Sequence, residues 1–368
     1  MVKVLNIKYE EYPVEPNTPQ FKKCVEYAKL IDKDYKLYLP DKPKKSVEFE
    51  LHDANSDLAN AIRRGIIDEV SVISMASNDE KIKTTDDYII ADNLKRCIEY
   101  VPVNQNLDKY DISKFKIKLF KENKTEETII IYTRDLEVYY DDKQHTGYLF
   151  SLNIPLSELK SSKVLSIEDI VLDIGVGKHD SAKYLIASNI KYKILDVKPL
   201  EASKYQTKGV SSLMSDPSKF YLKITNHRNI EPEQIVKLCC DELIKRITNI
   251  KKLLKDKDKD KDKDKDKDKD KDNDNEMVKI EETNISTDSK HPRYLVLLTL
   301  QGEYHTIANL ISKYCYLQDK SIELVCPCII HPNKEISMVK LIYKDYLNLL
   351  SDVMDNIIED LTTIKKAF

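Results

Sequence analysis

Cysteine, histidine and acidic residues are the side chains in this sequence that could bind a metal or act as nucleophile and base. The seven cysteines show no repeated spacing, and Cys326-Pro327-Cys328 lacks the second pair that a tetrahedral zinc site needs. We expect reduced, mostly buried thiols. The seven histidines are scattered, and no Ser, Cys or carboxylate is placed to act with His305. An Asp-x-Asp-x-Asp cluster of a metal-dependent polymerase centre is also missing. The sequence therefore predicts no catalytic residue, no cofactor and no metal.

The segment Ile170–Gly177 is the strongest indication of an enzyme. A strand that ends in closely spaced glycines resembles the first motif of S-adenosylmethionine-dependent methyltransferases, where the backbone approaches the cofactor. Asp196 follows the next strand-like segment, where such enzymes place an acid for the ribose hydroxyls. However, the third glycine position holds His179, and only one strand and one helix follow before residue 255. A methyltransferase built on residues 170–177 is therefore the alternative function.

A short helical phrase occurs twice in the sequence, at Asp57–Arg64 and at His305–Ile311. In each copy a strand, a polar cap and a helix with the pattern Leu/Ile-Ala-Asn-x-Ile/Leu follow one another. The strands are Ser46–Leu51 and Tyr294–Leu300. Each helix has one narrow apolar face. Two half-domains that present the same kind of face indicate a dimer fused into one polypeptide.

Two long amphipathic helices complete this plan. Pro232 opens the first at its first-turn position, and the second covers residues 344–366, roughly 34 Å. An apolar face of that length on a small half-domain needs a partner surface. We expect these helices to share one core with those near 57–70 and 305–317. The predicted interface residues are Leu58, Ile62, Ile66, Val236, Leu243, Ile247, Ile307, Leu310, Ile311, Tyr314, Leu350, Met354, Ile357 and Leu361.

The clearest domain boundary is Lys255–Asp272, a run of Lys-Asp pairs. It has no apolar group to bury, and its period of two puts like charges four residues apart, which disfavours a helix. We therefore expect a disordered tether. The predicted organisation is an N-terminal extension at 1–45, a first dimerisation half-domain at 46–76 and 206–254, an inserted β-rich domain at 77–205, the tether at 255–290 and a second half-domain at 291–368.

Several phrases match one family in their order along the chain. Asn60–Arg64 followed by Asp68-Glu69-Val70 is similar to an Asn-x-Leu-Arg-Arg helix with an acidic exit. Tyr132–Leu136 is similar to Thr-Ser-x-Asp-Leu, and Gly175–Tyr184 to Gly-x-Gly…His-Ala-Lys. Beyond the tether, Glu303–Leu310 matches Glu-Asp-His-Thr-Leu-Gly-Asn-Leu at most positions. The sequence thus resembles the α-type assembly subunits of multi-subunit DNA-dependent RNA polymerases: bacterial α, archaeal D and L, and the third and eleventh subunits of eukaryotic polymerase II.

This resemblance implies an α+β fold with two α-subunit-like half-domains of strand–helix–strand–helix plan docked in one chain. The first half is similar to the larger, D-type partner and carries the inserted domain, and the second is similar to the L-type partner. Fusion of the two resembles the arrangement in large nucleocytoplasmic DNA viruses. The implied function is a non-catalytic assembly scaffold. Its partners would be the largest and second-largest polymerase subunits and small assembly subunits, with DNA and RNA met only through the complex.

Two departures from the family limit what carries over. The family's His-Arg pair is missing after Asp86–Ala91, so no contact is assigned to it. The cysteine cluster that holds zinc or an iron–sulfur cluster in some D-type members is also missing, so neither is expected.

Arg63 and Arg64, with Asn60, form the predicted contact with the second-largest subunit. A basic pair on a helix is most often a solvated face. Two arginines beside an apolar stripe are nevertheless well suited to bidentate contact with a partner's carboxylates, and the resemblance implies that this helix surface meets the large subunit. We favour the interface.

Composition argues against two other classes of protein. The net charge of −3 and the pI of about 6.2 lack the basic signature of a free-standing nucleic-acid-binding protein. No apolar run approaches the ~18 residues of a membrane helix, and Met1–Pro13 lacks the apolar stretch of a signal peptide. An intracellular protein is expected.

Overall fold

Every strand pairing in the part of the chain that the structure describes is antiparallel, and helices pack against the sheets to give a mixed α+β fold. The structure is a computed structural model, and it describes residues 2–12, 44–105, 107, 109–145, 149–150, 153–196, 217–226, 228, 230–261, 277–286, 293–331 and 334–368. The strands are β1 (Lys3–Tyr12), β2 (Lys44–His52), β3 (Ser71–Ala76), β4 (Ile82–Thr84), β5 (Phe115–Glu122), β6 (Ile129–Tyr132), β7 (Glu137–Tyr140), β8 (Lys143–Gln144), β9 (Pro155–Leu159), β10 (Val164–Val176), β11 (Ala187–Ile194), β12 (Lys219–Asn226), β13 (Val278–Asn284), β14 (Tyr294–Gln301), β15 (Leu324–Ile329) and β16 (Ile336–Tyr343). The α-helices are α1 (Ser56–Asp68), α2 (Ala91–Glu99), α3 (Pro232–Lys261), α4 (His305–Gln318) and α5 (Tyr346–Ala367), with short 3-10 helices at Asp79–Lys81, Ile112–Lys114 and Thr133–Asp135.

The first sheet has the strand order β1-β2-β12-β11. Alternate residues of its two central strands are buried, so one face of the sheet is apolar. Helix α1 begins after Asn55, whose side chain accepts a hydrogen bond from the Leu58 N–H at 2.8 Å. It ends where the Glu69 N–H donates to the Gly65 carbonyl. Strand β1 was not predicted, because it lies in the segment expected to be an extension and its Lys and Glu residues hide the alternation.

The second sheet repeats this order as β13-β14-β16-β15. The segment predicted as a disordered tether contains regular secondary structure at both of its ends. Helix α3 continues to Lys261, because a packed helix extends at little cost once its first turns have formed. Strand β13 pairs with β14 over its whole length, and its first residue, Val278, is buried. Residues 262–276 and 287–290 of the predicted tether lie outside the described residues.

The third sheet has the order β3-β10-β5-β7-β8, with β4 also paired to β10. Strands β6 and β9 form a separate pair. These strands and α2 surround a second hydrophobic cluster, which runs from Met75 to Leu172. The boundaries differ from the predicted 77–205, because β3 belongs to this unit and β11 belongs to the first sheet.

The main hydrophobic cluster joins both four-stranded sheets. It contains buried residues of β2, β12, β14 and β16 and the apolar stripes of α1, α3, α4 and α5. Helix α3 packs on α5, and α1 packs on α4. The ring of Phe49 on β2 meets the ring of Phe368, the last residue of the chain, edge to face at a centroid separation of 4.9 Å.

Within the described residues, no helix combines the length and the apolar character that crossing a membrane requires.

Candidate assembly interface

The predicted interface residues lie together in the structure. All of them are buried, and all belong to the main hydrophobic cluster. They come from the four helices α1, α3, α4 and α5, of which α1 contacts α3 and α4, and α5 contacts α3 and α4. Helical spacing of apolar residues therefore identified the buried faces, because a residue on an amphipathic stripe has one side on which to pack.

Helix α1 approaches α3 closely at Gly65. A Cβ placed there would lie 2.7 Å from the Sγ of Cys239, so any larger residue would force the Cys239 side chain to move. The Cys239 thiol donates to the Ile62 carbonyl at 3.5 Å. Burial raises the pKa of Cys239 well above its usual value and that of Cys240 to about 12. Both thiols are therefore protonated packing groups.

A buried ionic cluster sits where α1, α3 and α4 meet, and sequence analysis missed it. Arg246 on α3 donates through Nε to Glu303 Oε1 at 2.7 Å and through Nη2 to Glu303 Oε2 at 2.5 Å. Its Nη1 lies 2.5 Å from Glu69 Oε2, at the end of α1. All three side chains are at most 14% exposed. The cluster lines a cleft of about 820 Å³ between α3 and the turn before α4.

Burial controls the ionisation of this cluster. It raises the pKa of Glu303 to about 7, since desolvation outweighs the opposing attraction of Arg246. Burial also opposes the charge on Arg246, but the two carboxylates outweigh it and the pKa of Arg246 is raised. Nothing in the sequence could have linked these residues. Glu303 was noticed only within the Glu303–Leu310 phrase, and Arg246 lies off the apolar stripe of α3.

Further ion pairs join residues that precede the Lys-Asp run to residues that follow it. Lys178, after β10, donates to Glu335 at 3.2 Å. Between the two long helices, Lys251 of α3 pairs with Asp355 of α5, and Lys365 of α5 donates to Asp241 of α3 at 2.6 Å. A hydrogen bond also joins the two parts of the chain, because the Val2 N–H donates to Asp360 Oδ1 at 3.2 Å.

The predicted basic surface lies on the half-buried side of α1. Arg63 donates through Nε and Nη2 to Asn60 Oδ1 at 3.1 and 2.9 Å. Arg64 donates to Asp68 Oδ2 at 3.2 and 3.0 Å, one helical turn away. These bonds hold both guanidinium groups along the helix. The structure thus brings the three predicted contact residues onto one surface.

The glycine motif is a packing feature, and the methyltransferase alternative is wrong. Gly175 lies inside β10, an antiparallel strand, where a Cβ would overlap the ring of Tyr184 at 2.3 Å. A Cβ on Gly177 would lie 2.0 Å from the Ile67 carbonyl oxygen at the end of α1. No helix lies between the glycines and β11 in the described residues 177–186, as a cofactor turn would require. Asp196 accepts hydrogen bonds from the Ser218 N–H and Oγ at 2.7 and 2.8 Å, so it supports the start of β12.

The fold and these contacts define an α+β protein whose candidate site is a set of helix faces and ion pairs. The chain belongs to the family of the RNA polymerase Rpb3/Rpb11 dimerisation domain, whose family model matches residues 48–247, more than half of the sequence. Two curated relatives are each called "DNA-directed RNA polymerase RPB3-11 homolog" and come from a South African tick isolate and a Namibian warthog isolate of African swine fever virus. Each is 22% identical over 339 residues, which cover 87% of this chain and 87% of the relative. The predicted resemblance to a fused α-type subunit is confirmed, and so is the predicted class of function, an RNA polymerase assembly subunit.

Proposed function

We propose that this chain is a non-catalytic assembly scaffold of a DNA-directed RNA polymerase, in which two α-subunit-like half-domains dock on each other within one polypeptide. The observation that carries the proposal is the shared core. Helices α1 and α3, which precede the Lys-Asp run, are buried in one hydrophobic cluster with α4 and α5, which follow it. The name of the viral relatives, which joins the numbers 3 and 11, fits such a fusion.

The strand order supports the division into halves. The first half consists of β1, β2, α1, β11, β12 and α3, and the second of β13, β14, α4, β15, β16 and α5. Each half is therefore a four-stranded sheet with two helices, one helix after each hairpin. The strands from β3 to β10 have their own cluster and interrupt the first half between α1 and β11. This interruption is the proposed inserted domain.

Burial of the helix faces supplies the energy for docking. An aliphatic side chain contributes roughly 1.5–3 kcal/mol when it is fully buried, and the predicted interface contains more than a dozen such positions. Part of each face is already covered within its own half. The remainder still favours docking strongly, and covalent linkage adds effective concentration without adding contacts.

The composite surface would bind the large subunits through α1. The guanidinium groups of Arg63 and Arg64 are already held by Asn60 and Asp68, so less side-chain entropy is lost when a partner carboxylate binds. The proposed partners are the second-largest and largest polymerase subunits together with small assembly subunits. The proposed location is the nucleus or a cytoplasmic viral factory, with packaging into the virion.

Reversing the charge of this surface tests the proposal. Arg63→Glu with Arg64→Glu should lower the amount of large subunit that co-purifies with the tagged full-length chain by at least about tenfold. This corresponds to about 1.4 kcal/mol for the two changes together, a modest value for arginines that act as interface hot spots. Thermal unfolding of the isolated chain should change little, because both side chains are partly exposed.

The matched control is another consecutive basic pair on a helix, Lys95→Glu with Arg96→Glu on α2. It makes the same change in charge at a different surface. Equal recovery of the large subunit with wild type and with the Arg63/Arg64 variant would exclude this interface. Equal loss with both variants would mean that only net charge matters.

A further inference from the structure

The two proposed halves correspond residue by residue at the turn that precedes the first helix. Strand β2 ends at His52 and β14 ends at Gln301, each followed by one residue with positive φ. These residues are Asp53 at 55° and Gly302 at 76°. Helices α1 and α4 then begin after the same number of residues. This correspondence places Ala54 at the position of Glu303.

The long helices correspond equally well. The buried positions of α3 recur in α5 at one constant separation along the chain. In α3 these are Ile235, Val236, Cys239, Cys240, Leu243, Ile247, Ile250 and Leu254. Their counterparts are Leu349, Leu350, Val353, Met354, Ile357, Leu361 and Ile364 of α5 and the partly buried Phe368. The same separation places Asp360 of α5 at the position of Arg246 of α3.

The ion pairs between α3 and α5 obey this local two-fold relation. Lys251 of α3 pairs with Asp355 of α5. Lys365 and Asp241 are their counterparts on the opposite helices, and they pair as well. Such reciprocal contacts are typical of an isologous interface, in which each pair occurs twice. They would form equally well if two first halves or two second halves docked on each other.

The contacts of Arg246 break the symmetry. On one side of the two-fold axis, Arg246 holds Glu303 of the other half with two hydrogen bonds. On the opposite side, the equivalent position on the long helix is Asp360, and the equivalent of Glu303 is the buried Ala54. Asp360 and Ala54 line one cavity of about 620 Å³ there. Asp360 accepts hydrogen bonds from the Tyr314 hydroxyl at 2.7 Å and from the Val2 N–H.

We propose that Arg246, Glu303 and Asp360 are specificity-determining residues that make a first half select a second half and reject another copy of itself. The proposal rests on the proposed docking of the halves. Pairing of two second halves would bring Glu303 against Asp360, which places two carboxylates together in a partly buried site. Pairing of two first halves would set Arg246 against Ala54, so the guanidinium would lose its bidentate partner.

The test uses the full-length chain, because like-with-like pairing must then join two chains into a dimer. Wild type, refolded from urea, should elute as a monomer in size-exclusion chromatography with light scattering. The variant Glu303→Gln with Asp360→Asn removes the two carboxylates that would repel each other. Its dimer fraction at the same protein concentration should rise at least about tenfold, the effect of about 1.4 kcal/mol.

Zero-length carbodiimide cross-links identify which halves have paired. Pairing of unlike halves, within one chain or by exchange between two, links Lys365 to Asp241. Pairing of like second halves would instead link Lys365 to Asp355 of another chain, which the spacing of these two residues on one helix forbids within a chain. The dimers of the variant should contain this Lys365–Asp355 link.

The matched control removes a reciprocal pair, through Lys365→Met with Asp241→Asn, and should leave the dimer fraction as in wild type. An unchanged monomer in the Glu303/Asp360 variant, or an equal rise in the control, would overturn the assignment. If the double variant fails to fold, Asp360→Asn alone keeps the Arg246–Glu303 pair and should shift the dimer fraction in the same direction. No shift in that single variant would also overturn the assignment. Absence of the Lys365–Asp241 link in wild type would instead refute docking itself.

Discussion

Arg246 shows why a buried charge in this protein has more to do with selectivity than with stability. Removing a guanidinium and two carboxylates from water costs several kcal/mol per ion, which offsets much of the gain from their mutual attraction. A well-packed apolar trio could be at least as stable. The charged trio differs in that it fits a single arrangement of partners, Glu69 and Glu303, around one guanidinium.

The ionisation of Glu303 predicts a pH dependence of stability. Its pKa is about 7 in the folded chain, above the ordinary value of 4.5, so the folded state binds a proton more tightly than the unfolded state. Its favourable contribution is therefore complete below pH 4.5 and is lost as pH rises toward 7. The loss is up to about 3 kcal/mol, the equivalent of this rise in pKa, to which burial and the charge of Glu69 contribute and which Arg246 and Lys178 oppose. In urea unfolding between pH 5 and 8, Glu303→Gln should remove this decline relative to wild type.

The control for this measurement is Glu323→Gln. Glu323 pairs with Arg293 at the surface, with a side chain that is 47% exposed. Its replacement should leave the pH profile of wild type unchanged. Parallel profiles for wild type and Glu303→Gln would show that Glu303 stays ionised over this range.

At the scale of elements, the long amphipathic helices were easier to predict than the edge strands β1 and β13. The apolar residues of α1, α3, α4 and α5 follow a 3.6-residue period over several turns, so the buried face of each helix can be predicted from the sequence. Edge strands β1 and β13 bury few residues and contain several charged side chains, so their pattern could not be distinguished from the polar segments around them. The ion pairs of Arg246 with Glu69 and Glu303 could not be predicted from the sequence, because only the fold brings together residues so distant along the chain.

The glycine turn after β10 positions this strand against the C-terminal end of α1. The Gly177 backbone lies against the Ile67 carbonyl, and the Lys178 N–H donates to the Asp68 carbonyl at 3.0 Å. Gly177→Ala should therefore lower the free energy of unfolding by about 1–3 kcal/mol, the usual cost of overpacking. Thermal unfolding of the full-length chain measures this loss. Ser181→Ala, an exposed change a few residues further on, should have no effect, and a Gly177→Ala variant as stable as wild type would contradict the close packing.

At the scale of the whole molecule, the shared core makes the two proposed halves one cooperative unit. Leu310 and Ile311 on α4 are fully buried in that core, so two aspartates there would place unpaired carboxylates among apolar side chains. Leu310→Asp with Ile311→Asp should cost at least about 4 kcal/mol, on the scale of large core disruptions, and abolish the Lys365–Asp241 cross-link.

The same helix supplies a matched control for the core. Tyr316 and Leu317 are also adjacent on α4, but they are 57% and 50% exposed. Tyr316→Asp with Leu317→Asp also introduces two adjacent aspartates, but outside the core, and should keep both the cross-link and a melting temperature close to that of wild type. The two variants differ in whether the aspartates lie at buried or at exposed positions of α4. A core variant that melts like the control would therefore mean that α4 does not hold the halves together. A control that loses the cross-link would instead extend the contact surface to the exposed end of α4.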